Sequence, residues 1–332
     1  MEHNIMEQNN RKQNSMKPDN RKQETIKQEK LKQEKSGLVL EGGGMRGIYT
    51  AGVLDVMMEE GIAFDGVIGV SAGAIHGCSF VSGQNGRSIR YYEKYCNDKR
   101  FMSLSNVFRT GDLIDAQFCY HDLPERLDPY DYKAFNKSRT EFYVTCSNLE
   151  TGKAEYLRIT DMKKQIDMVR ASASLPYVSR IVEFEGRKYL DGGCCDSIPV
   201  LAFREMGFTK TVVVLTRPET YVKQPESTWM AKLRYWKYPR FIKALKNRHR
   251  RYNQTVCQMK ELEDGGDIFV IRPENAIPIE RTEKDPVRLR EAYCMGRRDG
   301  KNQMEALKAW LSKEGKKVKE TKEAGQNHGT EQ

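Results

Sequence analysis

Two short apolar runs, Leu38-Val39-Leu40 and Val67-Ile68-Gly69-Val70, each end in small residues and pass straight into a helical pattern. A strand without polar alternation is covered on both faces, and a loop–helix crossover of this length joins parallel strands in a right-handed sense. The first helix, Arg46–Glu60, sets Ile48, Ala51, Val53, Leu54, Met57 and Met58 at helical spacing and stops at Gly61. The second, Ala72–Val81, is rich in small residues. Further on, Glu141–Ser147 with Ala154–Ile159, and Ile181–Phe184 with Arg187–Leu190, read as hairpins over Glu150-Thr151-Gly152-Lys153 and Glu185-Gly186. Thr211–Leu215 and Asp267–Ile271 return as buried strands. The pattern predicts an α/β domain with a mainly parallel central sheet.

A chain of 332 residues has ample material for a core, yet its ends do not contribute to one. Residues 1–36 repeat Lys, Gln, Glu and Asn with few apolar positions, so the segment cannot offset its ordering entropy and is expected to be disordered. The tail 313–332 reads the same way. Between them, 37–216 carries the motifs described next, and 217–312 forms a C-terminal extension completing the α/β domain. No apolar run approaches the ~20 residues that span a bilayer, and the N-terminus lacks the apolar core of a secretory signal. The eight cysteines lack metal-ligand spacing and read as reduced thiols of a cytoplasmic protein.

Gly42-Gly43-Gly44-Met45-Arg46-Gly47 follows the first strand and satisfies the G-x-G-x-x-G spacing of dinucleotide sites. Such a site also needs a carboxylate at the end of the second strand, for the ribose hydroxyls. That position holds Gly69-Val70-Ser71-Ala72-Gly73, and Asp65 lies at the wrong end. The nucleotide reading fails there. G-x-S-x-G is instead the pattern of a nucleophile elbow, weak alone but here set between a strand and a helix. Both loops leave the carboxyl edge of the sheet on neighbouring strands. The amides of Gly42, Gly43 and Gly44 would then face a carbonyl attacked by Ser71, as an oxyanion hole. Arg46, a cation in a helical first turn, opposes the macrodipole. It is read either as a surface ion pair or as support for the glycine loop and an anionic substrate.

A serine nucleophile needs a base. Of the five histidines, His3 and His328 lie in the terminal segments, and only His249 fits the usual Ser–acid–His order. It sits among Arg248, Arg250 and Arg251, which disfavour its protonation. His76 is on the serine's own helix, directed away from the elbow, and His121 has no motif around it. Asp191, in Asp191-Gly192-Gly193 after a strand, is the alternative, with an ordinary Asp-Gly turn as its plain reading. The residues alone leave the base open.

GGGMRG at 42–47, GVSAG at 69–73 and DGG at 191–193 occur in the order of the bacterial patatin-like phospholipases. The chain resembles that family over about residues 37–216. The likeness extends through Ala171-Ser172-Ala173-Ser174-Leu175-Pro176 and Ile198-Pro199-Val200, and more loosely into the extension. It implies a three-layer sandwich with helices on both faces of the sheet. It also implies a lipid acyl hydrolase with Ser71 as nucleophile, Asp191 as general base and no catalytic histidine. Gly42, Gly43 and Gly44 would form the oxyanion hole supported by Arg46, and Gly47, Gly69, Gly73, Gly192 and Gly193 would shape the loops. No metal or cofactor is implied. A transacylase or thioesterase would use the same dyad, and a non-catalytic lipid- or nucleic-acid-binding protein would need no dyad.

Residues 227–260 hold ten Lys or Arg and no Asp or Glu, with Trp229, Tyr235, Trp236, Tyr238 and Phe241 among them. Pro239 reads as the start of a helix whose stripe runs through Phe241, Ile242, Leu245, Tyr252, Val256 and Met259. The plain reading is a helix on the core with a solvated basic face. The sharper one is peripheral contact with an anionic membrane, at its inner face in a cytoplasmic protein. Nucleic acid is not expected, because no recognised binding fold accompanies the charge.

Overall fold

The computed structural model describes residues 34–313. Most of the segment expected to be disordered, 1–33, and the tail from 314 lie outside the described residues. The strands are β1 (Ser36–Leu40), β2 (Gly66–Val70), β3 (Glu141–Asn148), β4 (Ala154–Ile159), β5 (Val182–Phe184), β6 (Arg187–Asp191), β7 (Lys210–Val214) and β8 (Ile268–Ile271). The helices used below are α1 (Ile48–Glu59), α2 (Ala72–Val81), α3 (Leu104–Thr110), α4 (Ile166–Ser172), α5 (Val200–Glu205), α6 (Trp229–Arg234), α7 (Pro239–Lys246), α8 (Arg248–Asp264) and α9 (Pro286–Ser312). β1 begins at Ser36, one residue before the expected start of the folded body, and Ser36 N–H and Oγ both bond Asp65 Oδ2.

β1 lies at the centre, parallel to β2 on one side and to β7 on the other; β3 and β8 extend the parallel set. β4, β5 and β6 are the antiparallel part. Alternate residues of β1 face opposite layers, as the period of a strand requires. Leu38 and Leu40 pack with Ile48, Leu54, Ala74 and Leu289 of α1, α2 and α9. Val39 packs on the other side with Phe203 of α5 and Tyr252 and Met259 of α8. Helices therefore cover both faces of the sheet.

Two expected helices have different limits. Gly44–Gly47 forms a tight 3₁₀ turn, so the first α-helix begins only at Ile48 and Arg46 precedes it. The helix expected to run on from Pro239 breaks at Asn247 into α7 and α8. Phe241, Ile242 and Leu245 consequently pack with Leu190 and Cys194. Tyr252, Val256 and Met259 instead cover the sheet.

The segment beyond residue 216 is joined to the rest through β8 and α9. Tyr293 Oη donates to Asp55 Oδ2 at 2.6 Å, and Tyr49 Oη to Asp299 Oδ2 at 3.0 Å. The crossing of α1 and α9 is so close that a Cβ at Gly296 would lie 1.9 Å from Tyr49 O, whereas one at Gly300 would meet nothing nearer than 3.4 Å. Gly296→Ala should therefore cost about 1–3 kcal/mol through overpacking. Gly300→Ala should gain up to about 1 kcal/mol of helix propensity. Thermal unfolding ranks the two, and equal melting temperatures contradict this crossing.

Candidate active site

Ser71 leaves β2 at φ 54° and ψ −120°, immediately before α2. A positive φ is strained for a residue with a side chain and is held only by its surroundings. The close approach of α2 to β1 supplies them: a Cβ at Gly73 would lie 2.4 Å from Leu40 O. Gly69 is equally confined, against Ala74 N at 2.5 Å, and Gly47 against the Ala72 Cβ at 2.5 Å. The Ser71 N–H donates to Ser172 Oγ at 3.0 Å, and that hydroxyl donates onward to Thr145 O at 2.7 Å. Ser172 thus anchors the turn from the last residue of α4.

Asp191 reaches the same place through strand pairing. β4 occupies one edge of β3 from Phe142 to Ser147, so β2 and β6 must share the other. β2 takes it up to Val70 opposite Thr145; β6 takes it from Cys146, opposite Asp191, onward. The two strands meet end to end, and the partners of Val70 and Asp191 are one residue step apart, about 3.3 Å along β3. Ser71 and Asp191 are therefore brought together. The Asp191 Oδ1 accepts the Gly193 N–H at 2.7 Å, which orients the carboxylate. At Gly192 a Cβ would lie 2.1 Å from Thr145 O, so the turn after Asp191 admits no larger residue without moving β3.

The glycine loop completes the cluster. Gly42 lies against the elbow, with its ideal Cβ position 3.1 Å from Ser71 Cβ. Glu41 N–H donates to Val214 O and Met45 N–H to Arg281 O, both at 3.1 Å. The amides of Gly42, Gly43 and Gly44 between them have no hydrogen-bond partner among the described residues. Arg46 is buried beside them and makes no ion pair among the described residues, so the surface-pair reading does not hold. Glu41 is buried too, accepting from Thr216 N–H at 2.6 Å and Tyr252 Oη at 2.8 Å. Burial raises its pKa.

The histidines stand apart. His76 is buried beneath Gly47 with Nδ1 2.9 Å from Ser88 Oγ, and burial pushes its pKa down to about 3. His121 is exposed, in the π-helical segment Phe118–Leu127. His249 lies on α8, and its neighbour Arg248 is the residue that turns inward, with Nε donating to Gly193 O at 2.6 Å. Arg251 likewise donates to Cys194 O at 2.8 Å. In the sequence these arginines belong to a basic run, and nothing in that run marks them as ligands of the Asp191 loop.

A cavity of about 550 Å³ opens at Asp191, lined on its apolar side by Met102, Leu113, Leu175, Pro176, Val178 and Leu245.

The family model of patatin-like phospholipases matches residues 38–204, and a model of a domain of unknown function, DUF6363, matches residues 238–312. The chain belongs to the patatin-like phospholipase family, a class of lipid ester hydrolases. It is 31% identical over 275 residues to the uncharacterized protein YjjU of Escherichia coli (strain K12), covering 80% of this chain and 75% of that one. It is 29% identical over 184 residues to lysophospholipase NTE1 of Saccharomyces cerevisiae, covering 52% of this chain and 10% of the relative, so it spans only a small part of that protein's length. Among solved structures, VipD from Legionella pneumophila aligns with a TM-score of 0.44 at 15% identity, over 82% of this chain and 67% of that chain.

Ser172→Ala removes the acceptor of a buried amide. It should cost about 1–3 kcal/mol of stability and lower kcat for ester hydrolysis more than it raises KM. Ser174→Ala, whose hydroxyl bonds Arg170 O within the adjoining turn, should do neither. Equal kcat losses in the two variants would remove Ser172 from the site.

Proposed function

We propose that this protein hydrolyses acyl esters of lipids through a Ser71–Asp191 dyad and an acyl-enzyme. What supports this reading is that β2 and β6 meet end to end at the strained Ser71 and at Asp191, and that the amides of the adjoining Gly42, Gly43 and Gly44 have no hydrogen-bond partner among the described residues. Ser71 Oγ attacks the ester carbonyl and its proton passes to Asp191. The oxyanion of the tetrahedral intermediate faces the N–H groups of Gly42, Gly43 and Gly44, donors fixed before the charge develops. The intermediate collapses, and the alcohol leaves with the proton from Asp191. Water then attacks the acyl-enzyme with Asp191 as base, releasing the fatty acid and restoring Ser71.

Ser71→Ala should abolish ester hydrolysis and covalent labelling by a fluorophosphonate, with the fold retained by circular dichroism. Asp191→Asn should remove most of kcat, while His76→Gln, His121→Gln and His249→Gln each keep labelling and turnover. Loss of turnover in a folded histidine variant, matching that of Ser71→Ala, replaces the dyad with a triad.

The surroundings of the cavity favour a substrate drawn from a lipid surface. Thr228 and Leu104 line it, and the neighbouring Trp229, Leu233 and Trp236 are 65%, 74% and 68% exposed. Lys232, Arg234, Lys237 and Arg240 interleave with these apolar groups. Each basic residue near an anionic bilayer contributes on the order of 1 kcal/mol, screened by salt. We therefore propose peripheral docking through residues 227–260. The protein should cosediment with vesicles containing anionic lipid and much less with purely zwitterionic ones, and binding should fall as salt rises. Unchanged binding when all four basic residues become Gln returns this face to ordinary solvent exposure.

A further inference from the structure

One face of α8 grips both loops of the site. Arg248, Arg251 and Tyr252 stand at i, i+3 and i+4, so they lie together on that face. Arg248 Nε donates to Gly193 O at 2.6 Å, and Arg251 Nη2 donates to Cys194 O at 2.8 Å. Both carbonyls belong to the turn that follows Asp191. An ideal Cβ at Gly193 would lie 3.0 Å from Asp191 Oδ1 and 3.5 Å from Arg248 Nη2, so carboxylate and guanidinium flank one Cα. Tyr252 Oη donates to Glu41 Oε1 at 2.8 Å, at the root of the glycine loop. The other oxygen of Glu41 accepts the Thr216 N–H and hydroxyl, and Thr216 Oγ1 would lie 2.9 Å from a Cβ at Gly43.

The start of α8 is built against helical preference. Its first turn carries Arg248, His249, Arg250 and Arg251 with no carboxylate, and Asn247 makes no capping bond through its side chain. Cations at a helix N-terminus oppose the macrodipole, and an uncapped start leaves amides without intrahelical partners. Glu226, the ion-pair partner of Arg248, is exposed and 3.6 Å away, so it gives the guanidinium little hold. The bonds to the Asp191 turn are what Arg248 and Arg251 gain. A further contact comes from the turn before α9, where Arg281 O accepts the Met45 N–H at 3.1 Å and would lie 2.8 Å from a Cβ at Gly44. All four residues fall within 238–312, a segment with no assigned role.

We propose that α8 is a crossbar that fixes the Asp191 turn and the glycine loop at one separation, with Arg248 as the positioning residue for Asp191. The inference rests on the Ser71–Asp191 reading given above. The two loops leave β6 and β1, which lie apart in the sheet with β3 and β2 between them, so no ladder bond sets their distance directly. One helix bonded to both sets it without a flexible joint. The base and the oxyanion donors must act on the same carbonyl, and a misplacement of about 1 Å in such a pair costs up to about 100-fold in rate. Arg248 also walls the cavity at Asp191 and a polar cavity of about 170 Å³ beside the glycine loop. Its effect on kcat therefore has to be separated from any effect on KM.

The test measures hydrolysis of a soluble short-chain ester by the full chain. Arg248→Ala should lower kcat about 10- to 100-fold with KM nearly unchanged, and guanidinium ion added at a non-denaturing concentration should restore part of that kcat. Arg248→Lys, which keeps a donor, should lose less, and Arg250→Gln, on the same turn but exposed, should lose nothing. Should Arg248→Ala not fold, Arg248→Lys carries the comparison with Arg250→Gln. An unchanged kcat, or a loss confined to KM, makes Arg248 a substrate contact at most and overturns the proposal. Amide hydrogen exchange tests the crossbar itself: the substitution should speed exchange in residues 192–195 and also in 42–46, at the other end of the contact. Faster exchange in 192–195 alone overturns the coupling of the two loops. Should the wild-type protein hydrolyse no ester, the functional reading fails first, and exchange alone decides: faster exchange in both loops upholds the crossbar, and no change in 42–46 removes it.

Discussion

A β-strand has two edges, and β3 has three partners. Because β4 fills one edge almost completely, β2 and β6 must divide the other between them. This competition for backbone hydrogen bonds forces one parallel and one antiparallel strand to stop where they meet. β2 stops by turning sharply at Ser71, and β6 stops at Asp191. Neither residue reaches the junction by its own local preference. The ladder puts them there, and the rest of the site is arranged around that junction.

Backbone crowding at the junction explains why small residues gather in three separate loops. α2 must run close to β1, the Asp191 turn must run close to Thr145, and the glycine loop must touch the elbow. Two side chains tie these loops to their surroundings. Ser172 links the Ser71 amide to β3, and Glu41 links the glycine loop to Thr216 and Tyr252. The amides of Gly42, Gly43 and Gly44, of which Gly43 is buried, have no hydrogen-bond partner among the described residues, which is uncommon for a buried backbone donor.

The C-terminal segment takes part in this arrangement more directly than its position in the chain suggests. α9 locks onto α1 through a close glycine contact and paired tyrosine–aspartate bonds. The break at Asn247 lets α7 pack beneath the Asp191 loop while α8 covers the sheet. At that break Arg248 projects to Gly193 and into the cavities on either side. One straight helix could not serve both surfaces.

The amino-acid sequence by itself determined what local pattern can determine. Continuous apolar runs marked β1, β2 and β7, the intervening helix made β1 and β2 parallel neighbours, and the glycine-flanked Ser71 marked a sharp strand-to-helix turn. Three motifs in order identified the family over half the chain. Tertiary structure alone decided which edge β6 would take, and hence that β6 ends at Asp191 where β2 ends before Ser71. It also decided that Ser172 anchors the elbow, that the helix after Pro239 divides, and that Arg46, Arg217, Lys223, Arg248 and Arg281 converge from distant parts of the chain. The division has a physical cause. Periodicity, turn chemistry and crossover handedness act over a few neighbouring residues, whereas edge pairing and charge convergence depend on which surfaces other elements leave uncovered.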